Sequence, residues 1–190
     1  MKKALFLVCF MLFSTTASYA QSKYLTDDEK EVTEKDLDNA FVAPSSKFVG
    51  KKWYCSKYEY MVFNANGTCK QVGIYSDDDY SEHIDVTRTT SGRWKRDKQY
   101  LNITILAKTD TYTPNPSDLK KFSLRKQDEI KRDWANVQKK NREKADAHQV
   151  WEILKLNNDY IILNVKGEGR VYLYSQKMLD ELHKRAAEKE

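Results

Sequence analysis

Alternation of period two dominates the chain between residues 47 and 113, and it predicts β-strands there. Trp53-Tyr54-Cys55 and residues 58–63 are rich in aromatic and branched side chains. Asn64-Ala65-Asn66-Gly67 reads as a turn, with Gly67 in the left-handed position, and residues 68–75 return. The clearest hairpin follows. Ile84, Val86, Arg88, Thr90, Gly92 and Trp94 share one parity, and Asp85, Thr87, Thr89, Ser91, Arg93 and Lys95 share the other. A turn at residues 96–99 then sets Lys95 opposite Tyr100 and Trp94 opposite Leu101, giving a sheet with one apolar and one wet face.

Pro114 and Pro116 interrupt this pattern, and a short strand is expected at residues 119–124. Over residues 125–147 the period changes. Ile130, Trp134, Val137 and Ala145 fall near one face, with Asn141 interrupting it, which predicts a long charged helix with a narrow apolar seam. Strands resume at residues 149–156, 160–165 and 170–175. Residues 176–190 read as a C-terminal helix with Met178, Leu179 and Leu182 on its apolar face. Roughly seven to nine strands joined mainly by short turns predict a mainly β, antiparallel barrel or sandwich.

Composition changes this picture at the N-terminus. Lys2 and Lys3, the apolar run Ala4 to Phe13, and Ser18-Tyr19-Ala20 have the layout of a secretory signal peptide cut after Ala20. The expected product is exported, periplasmic or extracellular, and soluble. Residues 21–46 then form an acidic leader, either a helix from Asp27 to about Ala40, opened by the capping box Thr26-Asp27-Asp28-Glu29, or a loosely docked segment. The barrel spans residues 47–175. With 40% hydrophobic and 32% charged residues, the 190-residue chain belongs to the ordinary globular class. Without the leader, the net charge of +5 falls to +3, because only Lys2 and Lys3 leave. That is no nucleic-acid signature.

Val49-Gly50-Lys51-Lys52-Trp53, Phe63-Asn64-Ala65-Asn66-Gly67-Thr68, Ser91-Gly92-Arg93-Trp94-Lys95 with Leu101-Asn102-Ile103, and Val171-Tyr172-Leu173-Tyr174 together resemble the bacterial lipocalin-like family of exported small β-barrels. Gly50-x-x-Trp53 replaces the family's Gly-x-Trp, and residues 125–147 are an insertion. The resemblance implies a cup-shaped barrel of about eight strands, holding a small apolar or amphipathic ligand.

No catalytic motif appears. His83, His148 and His183 lack metal spacing, and no nucleophile elbow, phosphate loop or Cys-x-x-Cys is present, so a non-enzymatic protein without cofactor or metal is expected. Asp77-Asp78-Asp79 does not fit an EF-hand loop. Cys9 lies in the leader, which leaves Cys55 and Cys69. A regular hairpin sets Cys69 opposite Val62 and Cys55 about 23 Å away, so separate thiols are expected unless a bend at Ser56-Lys57 brings them together.

Arg88 shares the parity of Trp94 and so points inward. A buried cation needs an anion: a ligand's carboxylate, sulfate or phosphate, or an internal Asp or Glu. With Arg88, the aromatics Trp94, Tyr58, Tyr60, Trp151 and Tyr172 are the candidate ligand contacts. The alternative is a filled barrel acting as an interaction module. In that case the basic helix around Trp134 docks a protein or lies on a membrane surface.

Overall fold

The computed structural model describes residues 22–188, so the expected signal peptide lies outside the described residues. Two short helices open the chain, α1 (Asp27–Lys30) and α2 (Glu34–Val42), each with a complete capping box. Nine strands follow: β1 (Lys52–Ser56), β2 (Glu59–Phe63), β3 (Thr68–Asp77), β4 (Ile84–Asp97), β5 (Tyr100–Ile105), β6 (Thr111–Pro114), β7 (Ala147–Leu156), β8 (Tyr160–Val165) and β9 (Gly169–Tyr174). Between β6 and β7 lie α3 (Pro116–Leu119) and α4 (Leu124–Arg142), and α5 (Gln176–Ala187) ends the described chain.

Eight strands close into an antiparallel barrel in the order β1-β2-β3-β4-β5-β7-β8-β9, with β1 meeting β9 through Tyr54 and Tyr174. Strand β6 stands outside this ring. It pairs with residues 86–89 of β4, whereas residues 92–97 of β4 pair with β5. The β3–β4 ladder therefore runs past the barrel wall at one end.

The hairpin β4–β5 departs from the expected register by two residues. Asp97 faces Tyr100 and Trp94 faces Ile103, with a two-residue turn in which Lys98 takes φ +54°. An even slip keeps every side chain on its expected face. The β2–β3 hairpin slips by one, so Cys69 lies opposite Phe63 rather than Val62. Both residues then share the interior face, and Cys55 and Cys69 are free, buried thiols. The strand expected at residues 119–124 is absent. Asn115 instead caps a helix with Pro116 at its first turn, a signal that outweighs the apolar Leu119 and Phe122.

Alternate residues of the eight strands fill the barrel. Trp53, Met61, Phe63, Leu101, Ile103, Ile105, Trp151, Ile153, Leu163 and Leu173 are all buried in one cluster, and Trp94 packs against it. Phe48 and Ala40 of α2 close one end. Arg96 donates to the carbonyls of Ala40 and Ala43, tying down the C-terminus of α2 where a cation suits the helix dipole. Helix α5 covers the outer face of β8 and β9, with Met178, Leu179 and Leu182 against Tyr160, Ile162, Tyr172 and Tyr174.

Gly92 is needed where strands crowd. A Cβ there would lie 2.5 Å from the Thr104 carbonyl oxygen and 2.9 Å from Cys69 Sγ. Gly92→Ala is expected to lower stability by about 1–3 kcal/mol through overpacking, read as a lower urea midpoint with an unchanged slope. An unchanged midpoint would show that this contact relaxes freely.

Candidate functional site

The strand parity that carries Trp94 into the barrel carries Ile84, Val86, Arg88 and Thr90 onto the same face of β4. Where β4 leaves the barrel, that face is covered by the excursion between β6 and β7. Leu119 and Phe122 join Ile130 of α4 over Ile84 and Val86, with Tyr80, Tyr112 and Trp134 at the edge. The excursion thus covers the stretch of β4 that runs past the barrel wall.

Arg88 is buried and finds its anion inside the protein. Its Nε and a terminal nitrogen donate to both oxygens of Asp110, at 3.1 and 2.9 Å. The Thr90 hydroxyl donates to the same carboxylate. Burial, the largest single influence, would lower the guanidinium's pKa, but the hydrogen bonds to Asp110 together with the electrostatic pull of Tyr112, Asp110 and Tyr75 hold it up. Arg142 of α4 donates to the Asp110 carbonyl at 2.7 Å, which links the ion pair to the helix.

The seam of α4 is polar where it meets β6. Gln138 accepts from the Tyr112 amide at 3.1 Å, and Asn141 donates to the Tyr112 hydroxyl at 2.6 Å. Asn141, which interrupts the apolar seam in sequence, is therefore the buried residue that anchors it. The Trp134 and Tyr112 rings stack at 5.4 Å, and burial pushes the Tyr112 phenol up to about 12.

The other aromatic candidates are dispersed. Trp151 lies in the barrel core and donates to Gln149 at 2.7 Å. Trp94 donates to the Asn64 carbonyl at 3.0 Å and packs edge-on against Phe48 and Phe63. Tyr60 packs against Tyr54, and Tyr172 lies under α5. Tyr58 is exposed beside the β1–β2 turn. These five aromatics and Arg88 do not converge on one cavity.

A shallow groove of about 500 Å³ lies between β6, α3 and α4. Pro114, Pro116, Leu119 and Ala135 give it an apolar lining, and Lys120 and Lys131 stand at its edges. Both lysines are exposed, and neither forms an ion pair with another described residue. The groove is not a strand-addition site. The outward amide of Tyr112 is taken by Gln138, and Pro114 has no amide to offer. Sequence reasoning missed it because its walls come from three elements, one of which was read only as a break at Pro114 and Pro116 before a strand from Leu119.

Cys55 donates to Glu59 at 3.4 Å, and burial raises its pKa, so it is held as an unreactive thiol. Among the described residues, no group of His, Cys, Asp and Glu is arranged to hold a metal ion. No helix among them is long and apolar enough to cross a membrane. No family model matches the chain, and none of the curated proteins does.

Proposed function

We propose that this is an exported, non-enzymatic, lipocalin-like binding protein whose recognition element lies outside the barrel, in the groove between β6, α3 and α4. One observation carries this reading: the inward side chains of the barrel strands pack into one buried cluster, whereas the groove is open, apolar within and edged by two lysines that form no ion pair with another described residue. Its volume suits a small ligand. An apolar lining beside two cations selects an amphipathic organic anion, with a hydrocarbon body on Pro114, Pro116 and Leu119 and an acid group between Lys120 and Lys131. The closed eight-strand barrel supports the family resemblance, and the leader sequence supports export.

Dodecanoate is the probe. Calorimetry is expected to give saturable binding of one anion per chain that weakens as salt is added. Lys131→Glu should weaken it roughly tenfold, equivalent to about 1.4 kcal/mol. Lys140→Glu, on the opposite side of α4, should leave it unchanged. Absence of saturable binding, or equal loss in both variants, would overturn the reading.

A second reading rests on the outer face of α4, where Lys139 and Lys140 are exposed. There the filled barrel serves as a scaffold and the helix docks an acidic partner.

A further inference from the structure

One side chain ties the loop between β3 and β4 back to β4. His83 reaches Asp78 of the loop through Nδ1 at 2.8 Å and Asp85 of β4 through Nε2 at 3.0 Å. A neutral imidazole has one N–H and one lone pair. Only the imidazolium can donate to two carboxylates at once. The geometry is therefore that of the protonated ring.

What the loop holds is the excursion. Tyr80, inside the loop, packs edge-on against Phe122 and donates to Asp133 of α4 at 3.3 Å. Asp85 itself is tied to α3. Its amide donates to Asp118 at 3.0 Å, and its carbonyl accepts from the Asn115 amide at 2.7 Å. The charged groups around His83 come from every adjoining element. They are Asp78 and Glu82 of the loop, Asp85 of β4, Asp118 of α3, and Lys121, which pairs with Asp118 at 2.8 Å. Acids outnumber the lone lysine, so the surroundings favour the charged ring.

We propose that His83 is a proton-operated clasp that fastens the β3–β4 loop, and with it the Tyr80 contact on the excursion, to the barrel. Release is a single proton transfer to solvent. The imidazolium gives up one N–H proton, and the nitrogen lone pair left behind faces a carboxylate that it repels. One of the two bridges then opens. The sign follows from the raised pKa of His83, caused first by its hydrogen bond with Asp78 and then by that with Asp85. The fastening is complete below the ordinary imidazole value of about 6.5. It is lost as pH rises through the higher native value.

The test is an NMR titration of the His83 ring combined with hydrogen exchange at the amides of residues 78–83, corrected for the intrinsic pH dependence. The ring is expected to titrate above the ordinary imidazole value, and Asp78→Asn should move its midpoint down. Corrected exchange in the loop should rise severalfold across the same midpoint. In His83→Gln, a substitution at an exposed position, exchange should be fast and independent of pH. A ring that titrates at the ordinary value, loop exchange that ignores the midpoint, or a His83→Gln protein that keeps the pH dependence would each overturn the proposal. None of these readouts depends on whether the groove binds an anion.

Discussion

Asp110→Ala is expected to destabilise the protein by about 3–5 kcal/mol, because it strands the Arg88 guanidinium in a buried site. Asp110 is completely buried and Arg88 nearly so, and the carboxylate accepts from Arg88 twice and from Thr90 once. Removing it takes the counter-charge from a buried cation and an acceptor from the Thr90 hydroxyl, and water reaches neither without opening the seam between β4 and the excursion. The loss measures the stranded charge rather than the net worth of the pair. The double variant Arg88→Met with Asp110→Leu should therefore recover much of it, since apolar replacements of similar size remove both desolvation penalties. Urea unfolding of Arg88→Met, Asp110→Leu and the double variant completes the cycle. If Asp110→Ala changes the midpoint no more than a surface substitution, the buried pair is not what holds the excursion down.

Trp151→Ala is the second large effect, about 3–5 kcal/mol. Trp151 is fully buried at the centre of the barrel cluster, and a truncation there leaves a void lined by apolar side chains. Such a void stays dry and accepts a ring of the right size. Added indole should raise the melting temperature of Trp151→Ala while leaving the unaltered protein indifferent, because its interior has no room. A wild-type protein that responds to indole would mean that the barrel already holds an open cavity.

The barrel was legible in the sequence because it rests on a signal of period two, and that signal tolerates errors of register. The β4–β5 hairpin slipped by two residues without moving one side chain to the wrong face. Its turn was misplaced because Lys98 adopts a left-handed backbone without the glycine or asparagine that usually announces one. The long α4 was legible from Ile130 and Trp134. In the leader, Thr26-x-x-Glu29 was read and Thr33-x-x-Asp36 was not, so two helices looked like one. Most of β6 lay inside the stretch read as strands, but it was not separated as a strand of its own because it is four residues long and ends in a proline.

The site was less legible for a different reason. Parity placed Arg88 on the inner face, but parity cannot name a partner 22 residues away across a chain reversal. An acid supplied by β6's approach segment, rather than by a ligand, is a tertiary fact. The same holds for Asn141, which looks like a flaw in a helical seam until Tyr112 is brought against it. The groove needs α3, whose first residues read as a break at Pro114 and Pro116 and whose last, Leu119, read as the start of a strand.

The tryptophans give the most direct test of where recognition happens. Three of the four sit in or against the barrel core, Trp53, Trp94 and Trp151, and Trp134 belongs to the excursion. In a two-dimensional NMR titration with dodecanoate, the side-chain amides of Gln127 and Gln138, which line the groove, and the indole of Trp134, stacked on the groove-lining Tyr112, should shift together and saturate. The other three indoles should stay where they are. Shifts at Trp53, Trp94 and Trp151 with Trp134 unmoved would place the ligand inside the barrel and contradict a filled interior.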